Sequence, residues 1–353
     1  MNRSRPLEGY FFEDYAVGQA FRHAVPRTIT EADASLYVAL TGTRHPLHCS
    51  RPLAKAMGHR GCPIDDLLVF NVAFGSTVAD ISYNAIANLG YADVRFLAPI
   101  YAGDTISCES EVIGLKPNSS GRSGVLYVRS RARNQEGADV LSWIRWVMVA
   151  ARGKLRTTDF IIPNLPPEVP PSQFSLPPFV AVAALDRHAT GSARLWEDYQ
   201  PGMVIDHPGG ETIGATEHMM ATRLYQNPAR VHFDSLAARS SPFKRRLVYG
   251  GHVISLCRSL SYFGLENAFA IAAIHGGTHE NPMFGNDTLY CRHVVLGREE
   301  IPRRTDVGAL RLRMLGVKDA PLATFVMPGS DEKHPAVVLD LEYSVLIPRR
   351  QNT

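Results

Sequence analysis

The chain has 353 residues, 45% of them hydrophobic, with a formal net charge of +3 and five cysteines; this length suggests about two domains of roughly 150 residues. It holds no run of about 18 apolar residues to span a bilayer, and residues 1–8 lack the apolar core of a secretory leader, so a soluble, cytoplasmic protein without a membrane partner is expected. The small positive charge has no Lys/Arg block behind it, which suits an anionic metabolite and gives no case for nucleic acid, while Cys49, Cys62, Cys108, Cys257 and Cys291 form no Cys-x-x-Cys pair and read as reduced thiols.

In chain order, a turn at Gly18 leads to a short helix over residues 30–40, opened by the capping Thr30. A loop carrying His48 follows, then Gly61 and a longer apolar segment, residues 64–78, which reads as a central helix. Residues 125–131 and 140–149 are rich in β-branched and aromatic side chains and flank the turn-forming Asn134-Gln135-Glu136-Gly137, so they read as strands. A proline-dense stretch from Pro163 to Pro178 cannot enter a sheet interior and is expected to run extended over the surface. Beyond it the order repeats: a turn at Gly202, a helix beginning at Thr216-Glu217, a loop with His232, Gly250-Gly251, an apolar segment over 253–263, and a closing strand over 337–347.

The repetition is literal in places. Phe12-Glu13-Asp14-Tyr15-Ala16-Val17-Gly18 returns as Trp196-Glu197-Asp198-Tyr199-Gln200-Pro201-Gly202, and His232 lies 184 positions after His48. Pro99-Ile100-Tyr101-Ala102-Gly103-Asp104 returns as Pro282-Met283-Phe284-Gly285-Asn286-Asp287. A period this long indicates a duplicated domain and not a solenoid. The expected division is an N-terminal domain over 1–155, a linker over 156–190 and a C-terminal domain over 191–353. One helix and several long antiparallel strands per half imply an α+β arrangement with a sheet wrapped around a helix.

The loop Thr41-Gly42-Thr43-Arg44-His45-Pro46-Leu47-His48-Cys49-Ser50 resembles the Ser-Gly-Asp-x-Asn-Pro-x-His-x-Asp signature of the MaoC-type (R)-specific hydratases. Longer strings, Pro63-Ile64-Asp65-Asp66-Leu67-Leu68-Val69-Phe70, Asn88-Leu89-Gly90-Tyr91-Ala92 and Tyr249-Gly250-Gly251-His252-Val253-Ile254, are similar to the mesaconyl-CoA hydratase branch of that family. The resemblance implies a tandem hotdog fold and reversible hydration of an α,β-unsaturated acyl-CoA. It implies no cofactor beyond the CoA thioester that is the substrate, and it allows a homo-oligomer.

Hydration needs a base for water, a proton for the α-carbon, and donors for the enolate oxygen. The family places an Asp five residues before its His; here those positions hold Thr43 and Asn227. An amide can orient water where a lone hydroxyl does less, so the chemistry is expected in the second half, on His232 and Asn227, with the N–H groups of Gly250 and Gly251 at the helix start as enolate donors. Gln226, Asp65, Asp66 and Arg230 are substrate-binding candidates, Arg44 is a further one by proximity, and Lys244-Arg245-Arg246 could meet CoA phosphates. His275 and His279 have metal-like spacing but no third ligand, so no metal is expected. Gly209-Gly210 and Gly276-Gly277 read as turns. The rival readings are a hotdog thioesterase using Asp65 or Asp66, and a non-catalytic acyl-CoA-binding protein.

Overall fold

The computed structural model describes residues 6–155, 160–327, 329 and 333–351. Two central helices, Asp66–Ile81 and Gly250–Leu260, are each wrapped by antiparallel strands. The strands are β1 (Ala20–Arg22), β2 (Arg27–Thr28), β3 (Ala85–Phe96), β4 (Thr105–Pro117), β5 (Ser123–Arg133) and β6 (Asp139–Ala150) in the first half. The second half supplies β7 (Val204–Thr212), β8 (Ala270–Thr278), β9 (Thr288–Glu300), β10 (Val307–Lys318) and β11 (Val337–Pro348). The described strands form one sheet in the order β1-β4-β5-β6-β3-β8-β11-β10-β9-β7, with β2 paired to β4. This is the tandem hotdog arrangement.

The halves are related by a local twofold axis. β3 joins β8 antiparallel, Gly90 opposite Thr278, Ala92 opposite Gly276 and Val94 opposite Ile274, pairs that exchange under the repeat offset. The central helices meet on the same axis, where Asn71 Nδ2 donates to Ser255 Oγ at 3.0 Å and to the Gly251 carbonyl at 3.3 Å. A Cβ on Gly251 would lie 2.0 Å from Asn71 Oδ1, so glycine there sets how closely the two helices approach. Their buried faces, with Leu67, Phe70, Phe74, Val253 and Leu256, belong to one continuous core that spans both halves.

Local chemistry explains the elements. Thr30 caps the helix Glu31–Thr41 through a capping box with Asp33, and Gly42 ends it in the left-handed region. The second central helix begins at Gly250, three residues before the apolar run that marks it in sequence. Gly276 and Gly277 lie within β8 and Gly209 and Gly210 within β7; none of the four makes the turn expected of it. Gly277 has no room for a Cβ, which would fall 2.4 Å from Leu341.

The proline-rich connector does more than cross the surface. Val180, Val182 and Leu185 are buried in a second apolar cluster with Leu53, Phe269 and Leu346, and Ala181 N–H donates to the Met57 carbonyl at 3.0 Å. Proline confines this segment to non-ladder positions, yet its valines still cover the outer face of the sheet. Residues 156–159 of the expected linker lie outside the described residues.

Candidate active site

The repeat places two equivalent loops over two equivalent helix starts. In the second half, the His232 Nδ1–H donates to the Leu247 carbonyl at 2.9 Å; because a carbonyl only accepts, Nε2 carries the free lone pair. In the first half, His48 Nδ1–H donates in the same way to the Pro63 carbonyl at 3.0 Å. The two histidines are therefore held alike, and the difference lies in what surrounds each.

In the first half, Asp65 caps the central helix. Its carboxylate accepts from Leu67 N–H at 2.9 Å and from the Thr43 hydroxyl at 3.2 Å. Asp66 accepts from the Ile271 N–H at 2.8 Å, and burial pushes its carboxyl up to about 6. One donor of this helix start, the Leu67 N–H, is thus engaged by a side chain, and anionic groups stand where an enolate oxygen would need positive potential. Thr43, His48 and Asp65 line an open cleft of about 830 Å³ with Arg51, Lys55 and Arg60 among its walls.

The second half reverses each of these properties. The helix starts at Tyr249-Gly250 with no side-chain cap. The N–H groups of His252 and Val253 both reach the Tyr249 carbonyl, which leaves Gly250 and Gly251 with the donors that have no intrahelical partner. Asn227, His232 and Gly250 line a cavity of about 420 Å³. Asn227 Oδ1 accepts from Ala229 N–H at 3.0 Å and so fixes its own turn, an orientation that leaves the amide nitrogen as the group able to donate to water. Burial lowers His232 to about 4, against the opposing effect of its bond to Leu247, so the imidazole is neutral at physiological pH.

The same cavity contains groups that sequence reading did not assign to the site. His279 lies against the helix start; a Cβ on Gly250 would sit 2.4 Å from its ring. Its Nε2 is 3.1 Å from the Tyr91 hydroxyl, and burial lowers it to about 4. Tyr249 packs on the His232 ring at 5.7 Å between centroids and on Phe74 at the same separation. Phe74, Asn88 and Arg145 come from the first half, so the cavity lies between the two repeats. Arg145 did leave a signal, since it falls in phase with the buried Trp143, Val147 and Val149 of β6.

Asn227, His232 and Gly250 are brought together, and the other candidates lie elsewhere. Gly251 does not line the cavity, and its Cα faces Asn71. Neither Gly250 nor Gly251 has the positive φ of a turn glycine. Gln226 also lies off the cavity wall, in a left-handed turn with φ of 54°. Arg230 is exposed and pairs with Asp234, whose own carboxylate caps a short helix by accepting from Ala237 N–H. Asp65 lines the first-half cleft and Asp66 a smaller pocket shared with Arg258 and Tyr262, while Arg44 stacks over Phe263. Lys244 and Arg245 are exposed just beyond Phe243, which is part of the cavity wall.

Among the described residues, the one group with metal-like proximity is His207, Cys291 and His293. Its ring nitrogens are engaged in a chain from the Phe263 carbonyl through both imidazoles to the Tyr343 hydroxyl. His275 sits outside that group and bonds Val169 N–H and Ser344. No described helix is long and apolar enough to cross a membrane.

Comparison with known proteins agrees with this architecture. The MaoC-like domain family model matches residues 13–132. A beta-methylmalyl-CoA dehydratase of Chloroflexus aurantiacus is 51% identical over 97% of this chain and 98% of its own. A mesaconyl-CoA hydratase of Cereibacter sphaeroides is 47% identical over the same shares. Among solved structures, a MaoC-domain dehydratase from Chloroflexus aurantiacus superimposes with a TM-score of 0.94 at 50% identity, covering 99% of this chain and 100% of that one. Rv0216 of Mycobacterium tuberculosis, described as a double hotdog fold, gives 0.77 at 25% identity over 98% of this chain and 100% of its own. The chain therefore belongs to the MaoC-like dehydratase family, as a tandem hotdog member.

Proposed function

We propose that this chain catalyses the reversible hydration of mesaconyl-CoA to β-methylmalyl-CoA, at the second-half site. The observation that carries the reading is a neutral His232, its Nε2 lone pair free, sharing one cavity with an uncapped helix start. The relatives named for this reaction set the substrate.

In the hydration direction, a water is held between the Asn227 amide and His232 Nε2. His232 takes a proton as the oxygen adds to the β-carbon, and the electron pair of the double bond moves through the α-carbon onto the thioester oxygen. The Gly250 N–H and the positive end of the helix dipole stabilise that enolate. Its collapse returns the proton from the His232 imidazolium to the α-carbon, which closes the balance without a cofactor. Exposed Lys244 and Arg245 lie beside the wall residue Phe243, where CoA phosphates could be met.

The test is to incubate the protein with mesaconyl-CoA and follow enoyl-thioester absorbance together with free thiol. Loss of absorbance without thiol is expected. Thiol release would favour the thioesterase, and binding with neither signal would favour a non-catalytic protein.

A further inference from the structure

Arg145 on β6 exposes none of its surface. Its guanidinium donates to Thr77 Oγ1 at 3.0 Å and Ser82 Oγ at 3.2 Å and lies 4.1 Å over the Phe74 ring. Among the described residues no carboxylate pairs with it, and its Nε has no hydrogen-bond partner. Burial pushes it down only to about 10, so it stays cationic at neutral pH. A buried charge without a counter-ion is costly in an isolated fold, and a ligand that brings the missing anion would offset that cost.

Two more unpartnered groups border the same cavity. The Tyr249 hydroxyl and both amide atoms of Asn88 lack hydrogen-bond partners. Asn88 pairs across the sheet with Val147, two residues along β6 from Arg145, so their side chains share a face. Tyr249 packs on Phe74, the ring beneath the guanidinium, and on His232. Three donors without an acceptor, the Nε–H of the charged Arg145, the Tyr249 hydroxyl and the Asn88 amide, thus border the cavity of the proposed base.

We propose that Arg145, Asn88 and Tyr249 form an anion subsite that takes the free carboxylate of the acyl group. The proposal rests on the hydratase reading above, in which mesaconyl-CoA carries a carboxylate on the carbon that receives the hydroxyl. Arg145 would hold that carbon in place and neutralise charge next to the attacking oxygen. The donor atoms lie in the cavity wall and not in its open volume. Engagement therefore includes a rotamer change at Asn88, the least buried of the three.

The test uses two saturated probes that cannot be hydrated: methylsuccinyl-CoA, which keeps the carboxylate, and 2-methylbutyryl-CoA, which replaces it with a methyl group. Wild-type protein should bind the first more tightly, and Arg145→Met should weaken it about 100-fold while changing the second little. Arg145→Lys should recover part of the loss. Equal affinities in the wild type, or equal losses for both probes in the variant, would overturn the subsite. Should Arg145→Met not fold, Arg145→Lys and Tyr249→Phe, compared on the same two probes, decide the matter by the same criterion. Mesaconyl-CoA turnover measured on the wild-type preparation separates the two claims. Arg145-dependent binding without turnover removes the hydratase reading and keeps the subsite, whereas turnover with Arg145-independent binding removes the subsite alone.

Discussion

At neutral pH His232 carries no proton, because burial holds it near about 4, so Nε2 can accept one from water without first losing its own. His232→Ala should lower turnover by about 10²–10⁴-fold, whereas His48→Ala should leave most of it; steady-state rates on both variants check this, and equal damage would remove the one-active-half reading. The same burial sets the pH dependence. A histidine whose folded pKa is depressed from 6.5 to about 4 is neutral in both folded and unfolded chains above about pH 6.5. The kcat/KM profile should therefore stay level from pH 8 down past about 6.5 and fall only toward about 4. An acid limb centred on the ordinary histidine value would show that His232 is solvated or not the base. His232 and Asn227 were legible in the sequence because the repeat supplies an internal control, the same positions filled differently in each half. Arg145 was harder to see: its place in the inward-facing series of β6 can be counted, but its lack of a counter-ion depends on neighbours from the distant helix Asp66–Ile81.

Helix ends separate the two halves more sharply than the motif loops do. Asp65 offers its carboxylate to the first helix and engages the Leu67 N–H, while Tyr249 offers no cap to the second. Removing the cap by Asp65→Ala should cost about 1 kcal/mol of stability and little turnover, as read by denaturant unfolding and rate on one preparation. A large loss of rate at unchanged stability would move the chemistry into the first-half cleft. Gly251→Val tests the helix crossing. Its side chain would run into Asn71 at the axis, so it should destabilise by about 1–3 kcal/mol or more through overpacking, with rate per folded molecule nearly kept. The existence of both central helices was legible from their apolar runs and preceding glycines. Which glycine faces a histidine and which a neighbouring helix was not, because Gly250 and Gly251 differ only in the direction each faces.

Across the whole molecule, β3 and β8 make one sheet and one apolar core runs through both repeats. Calorimetry should show a single unfolding transition; two well-separated transitions would mean that the repeats fold independently. Stability should decline as pH falls from about 6.5 toward 4, since His207, His218, His232, His275 and His279 all sit near about 4 when folded while an unfolded chain takes up their protons at the ordinary value. Asp66 and Glu211, raised by burial to about 6 and about 7, and Glu299, also raised, work in the opposite direction, losing stability as pH rises through their folded values, but they are fewer than the histidines. The covalent joining of the repeats has a further consequence. Two identical subunits meeting on an axis must present every feature twice, so a buried cation installed for one ligand would also appear at the symmetry-related position, with a second complete site around it. A single polypeptide carrying both copies escapes that constraint: one copy can keep the proton-transfer groups while the other contributes the cation. Its stoichiometry should accordingly be one acyl-CoA per chain.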